Sequence, residues 1–82
     1  MPTVLRIDSL RVVIYPNDHR PAHVRVTGTG GEAVFILNCP DGPPSLREVF
    51  GFNSQDATRI GNDLAAHLAD LCRKWSEIHG RY

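Results

Sequence analysis

The sequence is poor in most of the features that announce a function. No apolar run approaches the length needed to cross a bilayer. Neither sign of charge is in excess, with nine basic and nine acidic side chains. There is thus no global field to hold a polyanion, and non-specific DNA binding is disfavoured. An acidic whole-surface mimic of nucleic acid is disfavoured on the same ground. Aromatic side chains make up only 7% of the chain, with one Trp, two Tyr and three Phe. Cysteine is limited to Cys39 and Cys72. From the short polar opening Met1-Pro2-Thr3 we expect no secretory signal. We therefore expect a cytoplasmic protein, with both cysteines as free thiols and a disulfide as the minority alternative.

Eighty-two residues suit one domain, residues 1–82. A chain this short buries roughly 60% of its unfolded surface. With 41% hydrophobic residues it can fill one core. A deep, fully walled cleft is hard to build at this size, whereas a surface site, a binding face or a dimer interface is not.

β-formers dominate Thr3 to Ile7 and Leu10 to Tyr15, with Asp8-Ser9 between them as a two-residue turn, which predicts an opening hairpin. Pro16 to Ala22 holds two prolines, an Asn and an Asp and reads as a loop. His23 to Thr27 alternates strictly, placing Val24 and Val26 on one face and His23, Arg25 and Thr27 on the other. Gly28-Thr29-Gly30-Gly31 is a turn between strands and not a phosphate loop, because no helix N-terminus follows it. Glu32 to Leu37 is apolar on both faces. One helix covers only one face of a sheet, so the second face must meet a partner or be covered by the Cys39 to Asn53 segment. Leu46 to Phe50 offers a further edge strand.

From residue 54 to residue 79 the pattern changes. Ala57, Ile60, Leu64, Leu68, Leu71, Trp75 and Ile78 recur at spacings of three and four, an amphipathic stripe. Asn53 or Ser54 is the N-cap, and Gly80 the C-terminal stop. Arg59–Asp63, Asp70–Lys74 and Arg73–Glu77 stand at i,i+4. The expected fold is α+β: four to five antiparallel strands in residues 1–50, followed by one long C-terminal helix packed on one face. A helix of about 25 residues would span about 38 Å, against about 17–20 Å for the strands. Its end near Trp75 and Ile78 should overhang onto loops or another molecule.

Four histidines invite chemical readings. His19 and His23 are four apart, but Pro21 lies between them and rules out a shared helix face, and no third ligand is evident. We expect neither a metal nor a cofactor. A ribonuclease-like site would use His23 as acid or base and Arg25, one pleat away, to hold a phosphate, with His19 contributing. The bland alternative has His19 ordering its loop while His23 and Arg25 form a solvated face. His67 reads as a boundary residue beside the stripe and His79 as a cation suited to the helix end. Cys72, next to Leu71, should be buried and inert. Trp75 reads as core unless the overhang makes it an interface.

The segment Asn17-Asp18-His19-Arg20-Pro21-Ala22-His23-Val24-Arg25-Val26 resembles the signature of the bacterial family called domain of unknown function 4160. Met1-Pro2-Thr3-Val4-Leu5-Arg6-Ile7 and Gly51-Phe52 before a helix are similar too. Ala22 stands where the family commonly has Pro, and Arg25 where it usually has His. The resemblance implies a small protein of toxin–antitoxin-like or mobile-element loci that acts by binding a protein partner. The contact residues expected on this reading are His19, Pro21, His23, Arg25 and Trp75. Two alternatives stay open: a small ribonuclease toxin using His19 or His23, with RNA as its target, and a phage-type inhibitor of a host defence complex of the CRISPR kind. Non-enzymatic binding is the favoured reading, and a homodimer is an open option.

Overall fold

The computed structural model describes residues 3–28 and 30–82. Met1 and Pro2, at the start of the family-like opening, and Thr29, within the expected glycine turn, lie outside the described residues. Five strands run in simple antiparallel order: β1 (Thr3–Ile7), β2 (Leu10–Val13), β3 (His23–Gly28), β4 (Gly31–Ile36) and β5 (Ser45–Phe50). Two helices follow, α1 (Ser54–Ala66) and α2 (Leu68–His79).

The expected single helix is broken, and His67 marks the break. Its backbone sits at φ −115°, ψ 18°, outside helical geometry. Its N–H donates to the Leu64 carbonyl three residues back, and its ring Nδ1 engages the Asp63 carbonyl at 3.0 Å. A side chain that takes a ladder acceptor in this way is a recognised cause of a helix bend. The break also removes the expected overhang. Thirteen and twelve residues span about 20 and 18 Å, lengths that match the strands, and the whole molecule measures 33 × 26 × 19 Å. Ile60 and Leu64 from α1 and Leu71, Cys72 and Trp75 from α2 join one core with Val12, Ile14, Val24, Val26, Ala33, Phe35 and Leu37 from the sheet side. Trp75 is fully buried within it.

The helix ends follow from local chemistry. The Asn53 side-chain oxygen accepts the Asp56 N–H at 2.7 Å, which makes Asn53 the N-cap. Gly80 closes α2 at φ 86°. The surface ion pairs differ from the expected set: Arg59 meets Asp56 and Arg73 meets Asp70, both at i,i+3. Just before α1, Gly51 sits at φ +81°, and a Cβ there would lie 2.5 Å from the Gly30 carbonyl oxygen. Phe52 then lays its ring over Gly31, where no side chain stands in its way.

Cys39 and Cys72 are not free thiols. They form a disulfide with Cα atoms 5.8 Å apart, bridging 33 positions of sequence. It ties the segment after β4 to the buried face of α2. Cys72 is buried as expected, but as half of a bridge. Disulfides persist mainly in oxidising compartments, so the cytoplasmic expectation loses the support it drew from free thiols. No helix among the described residues is long and apolar enough to cross a membrane.

The second face of the sheet is covered by the chain itself. Val13 and Val34 are 1% and 4% exposed, yet they face away from the helices and stand outside the core cluster. Both lie directly across from Arg25, one on β2 and one on β4. Arg25, whose register places it between the two valines, reaches along β4 to pair with Glu32. The segment after Cys39 does not fold over this face. Its strand β5 hydrogen-bonds beside β4 instead.

Candidate functional site

The loop between β2 and β3 is held more tightly than its composition suggests. Asp18 and Tyr15 close it reciprocally: the Asp18 carboxylate accepts the Tyr15 N–H at 3.1 Å, and the Tyr15 carbonyl accepts the Asp18 N–H at 3.1 Å. The same carboxylate oxygen lies 3.6 Å from His23 Nε2. On its other side the His23 ring engages the Pro21 carbonyl through Nδ1 at 2.9 Å. Ala22 accepts the Leu37 N–H, which anchors the exit from the loop on the end of β4.

The end of α2 lies beneath this loop. The Trp75 ring stands between two imidazoles, with His23 at 5.2 Å and tilted and His79 at 4.0 Å and stacked. Its buried indole N–H donates to the Arg81 carbonyl at 2.8 Å, which meets the requirement that a buried tryptophan find an acceptor. His79 Nε2 reaches the Tyr15 carbonyl at 3.1 Å. Tyr15, Asp18, His23, Trp75 and His79 thus form one connected frame across 64 positions of sequence. Asn17, His19, Arg20 and Pro21 sit above it, on the outside of the loop.

The expected site residues therefore divide. His23 and Trp75 come together, but as frame: Trp75 offers no exposed surface to a partner. His19 and Pro21 are surface. His19 makes no hydrogen bond or ion pair among the described residues, so it does not converge with His23. Arg25 is on the sheet face as expected, committed to Glu32. Two frame members carried little signal in the sequence. His79 read only as a cation at a helix end, although its place four residues after Trp75 puts the two rings on one helix face. Asp18 stood out only as a member of the Asn17 to Val26 segment.

The arrangement limits the chemistry open to His23. Nδ1 is held by the Pro21 carbonyl and Nε2 is turned toward the Asp18 carboxylate, so the ring is oriented from both sides by protein groups. The described residues hold no group of three or more His, Cys, Asp or Glu side chains placed to share a metal ion.

A second feature lies at the far edge. Strand β5 is exposed at every position, and Leu46, Val49 and Phe50 are large apolar residues on it. Beside it a groove of about 360 Å³ runs between β5 and α1, lined by Phe35, Pro43, Pro44, Leu46, Ala57 and Gly61 among others.

No curated protein and no solved structure matches the chain closely enough to count as a relative. The family model described as "Domain of unknown function (DUF4160)" matches residues 10–76, a span that contains the Asn17 to Val26 signature, most of the frame and the Gly51-Phe52 pair. The chain belongs to that family.

Proposed function

We propose that the chain works by binding a protein partner through the exposed tip His19, Arg20 and Pro21, with the frame beneath acting as its support. The observation that carries this reading is the division within the signature segment. Asp18 and His23 turn inward to fix the loop, while the residues between them, up to Pro21, face solvent. A loop pre-ordered by its own side chains loses less conformational freedom on binding. Exposed loops on a rigid scaffold are where recognition residues concentrate. The toxin–antitoxin-like or mobile-element setting implied by the family resemblance is part of the same proposal.

The ribonuclease reading is disfavoured at His23 by the same geometry. Built on that residue, it needs a free imidazole nitrogen there and a cation free for phosphate at Arg25. The first is held through Nδ1 with Nε2 turned toward Asp18, and the second pairs with Glu32.

The test is an affinity capture from bacterial lysate with the wild-type chain and a His19→Ala/Arg20→Ala variant side by side, analysing both protein and RNA. A stoichiometric protein retained by the first and lost by the second is the expected outcome. Its identity would separate an adjacent-gene partner from a host defence complex. Retention by both forms would overturn the assignment of the tip. RNA retained without protein would reverse the preference over the ribonuclease reading.

A further inference from the structure

We propose that the β5 edge is a homodimer seam, in which two β5 strands pair antiparallel about a two-fold axis. Three observations converge on a second copy of this chain as the occupant.

The edge is open. β5 is the last strand in the sheet order, and its outer side has no neighbouring strand among the described residues. An unpaired edge exposing apolar residues is a template for another strand, and Phe50 is 79% exposed.

The bulge selects the register. In a regular strand, residues an odd number of positions apart point to opposite faces. Opposed residues in a two-fold antiparallel pair must share a face. A regular β5 could therefore pair only with Arg47 opposite Arg47 of the second copy, or with Glu48 opposite Glu48, or in registers shifted further along. The two central registers set like charges directly against each other, which is destabilising. β5 is not regular. Val34 pairs with Glu48 and Phe35 pairs with Leu46, so Arg47 is an inserted residue. In consequence Leu46 and Val49, three apart, share the helix-side face opposite Phe35 and Ala33, while Ser45, Glu48 and Phe50 share the other.

The intermediate register then sets Ser45, Leu46, Val49 and Phe50 opposite residues of their own face and brings the inserted Arg47 to Glu48. Ser45 opposes Phe50 of the second copy, Leu46 opposes Val49, and Arg47 opposes Glu48. Because the axis is two-fold, each opposition occurs twice, an isologous contact. Apolar side chains meet on the helix side, where they extend the floor of the groove between β5 and α1 across the seam. Opposite charges meet at its centre. Charges and bulges on an edge ordinarily discourage pairing; here they discourage the wrong registers and leave one.

Sedimentation equilibrium over a concentration series tests this, with circular dichroism confirming that each exposed variant stays folded. Wild type should shift from 9.1 kDa toward twice that mass as concentration rises. Arg47→Glu alone and Glu48→Arg alone should each weaken self-association at least about tenfold, the factor set by opposing like charges across a seam. The Arg47→Glu/Glu48→Arg double variant should recover it. An equimolar mixture of the two single variants should form a heterodimer. One copy then presents two acidic side chains at the centre of the seam and the other two basic ones, so both oppositions are again between unlike charges. A wild type that remains monomeric at high micromolar concentration would overturn the proposal. So would single variants that dimerise as wild type does, or a mixture of them that stays monomeric.

Discussion

The two sides of this molecule are built on opposite principles. Where α2 meets the start of β3, side chains are tied to one another and to the backbone. Asp18 and Tyr15 bond each other, His23 bridges Asp18 and Pro21, Trp75 lies between two imidazoles, and the Cys39–Cys72 bridge pins α2 from the next segment of chain. Where α1 meets β5, the sheet runs out from under the helix and leaves an open strand beside a groove. The contrast sets a tied polar frame and a disulfide on one side against an exposed apolar edge on the other. In a chain too small for redundancy in its core, the closed side carries the fold.

Substitutions graded by size would break or sharpen that contrast. Trp75→Ala empties the centre of the closed side and should destabilise the fold by about 3–5 kcal/mol in chemical denaturation. A loss below about 1 kcal/mol would mean that the ring is not core. Opening the disulfide with Cys39→Ser/Cys72→Ser should remove about 3–4 kcal/mol, the loop-closure contribution for a bridge of this span. Equal melting temperatures with and without reductant would show that the bridge does not bear on the folded state. Asp18→Ala frees the Tyr15 N–H and removes the oxygen facing His23. It should cost about 1–2 kcal/mol and change the emission of Trp75, the only tryptophan. An unchanged spectrum would separate the loop from the Trp75 cluster. On the open side, Phe50→Ser should leave monomer stability within about 0.5 kcal/mol of wild type. A larger loss in the dilute monomer would place Phe50 in the fold.

How far the sequence was legible follows the same division. Every strand lies where β-branched residues and turn residues place it, because alternation and turn chemistry are local. Asn53 and Gly80 as helix ends were legible for the same reason. The break at His67 was not. Leu64 and Leu71 are seven apart, two turns of either a straight or a bent helix, so the apolar stripe keeps its phase through the bend. Nor could the stripe reveal that the His67 ring takes the Asp63 carbonyl. The surface pairs were misjudged between i+3 and i+4 because both spacings share a face, and rotamers decide between them.

The candidate site was legible as a segment and illegible as an object. Asn17 to Val26 stood out on its residues and on the family it resembles. Which of those residues turn inward depended on what lies beneath them, and that is supplied by the distant end of the chain, Trp75, His79 and Arg81.

By itself, then, the sequence determined the alternation of strands, their turns, the helical stripe and its caps, because each is set by neighbours within a few residues. It also settled that basic and acidic side chains balance, since charge is a sum and needs no coordinates. The tertiary structure alone decided that Cys39 and Cys72 are bonded, that Arg25 pairs with Glu32 between two buried valines, that His23 is frame while His19 is surface, and that the apolar surplus lies on β5. Each of these depends on which distant residues become neighbours, and that information lies in the closing of the sheet and the packing of the helices upon it.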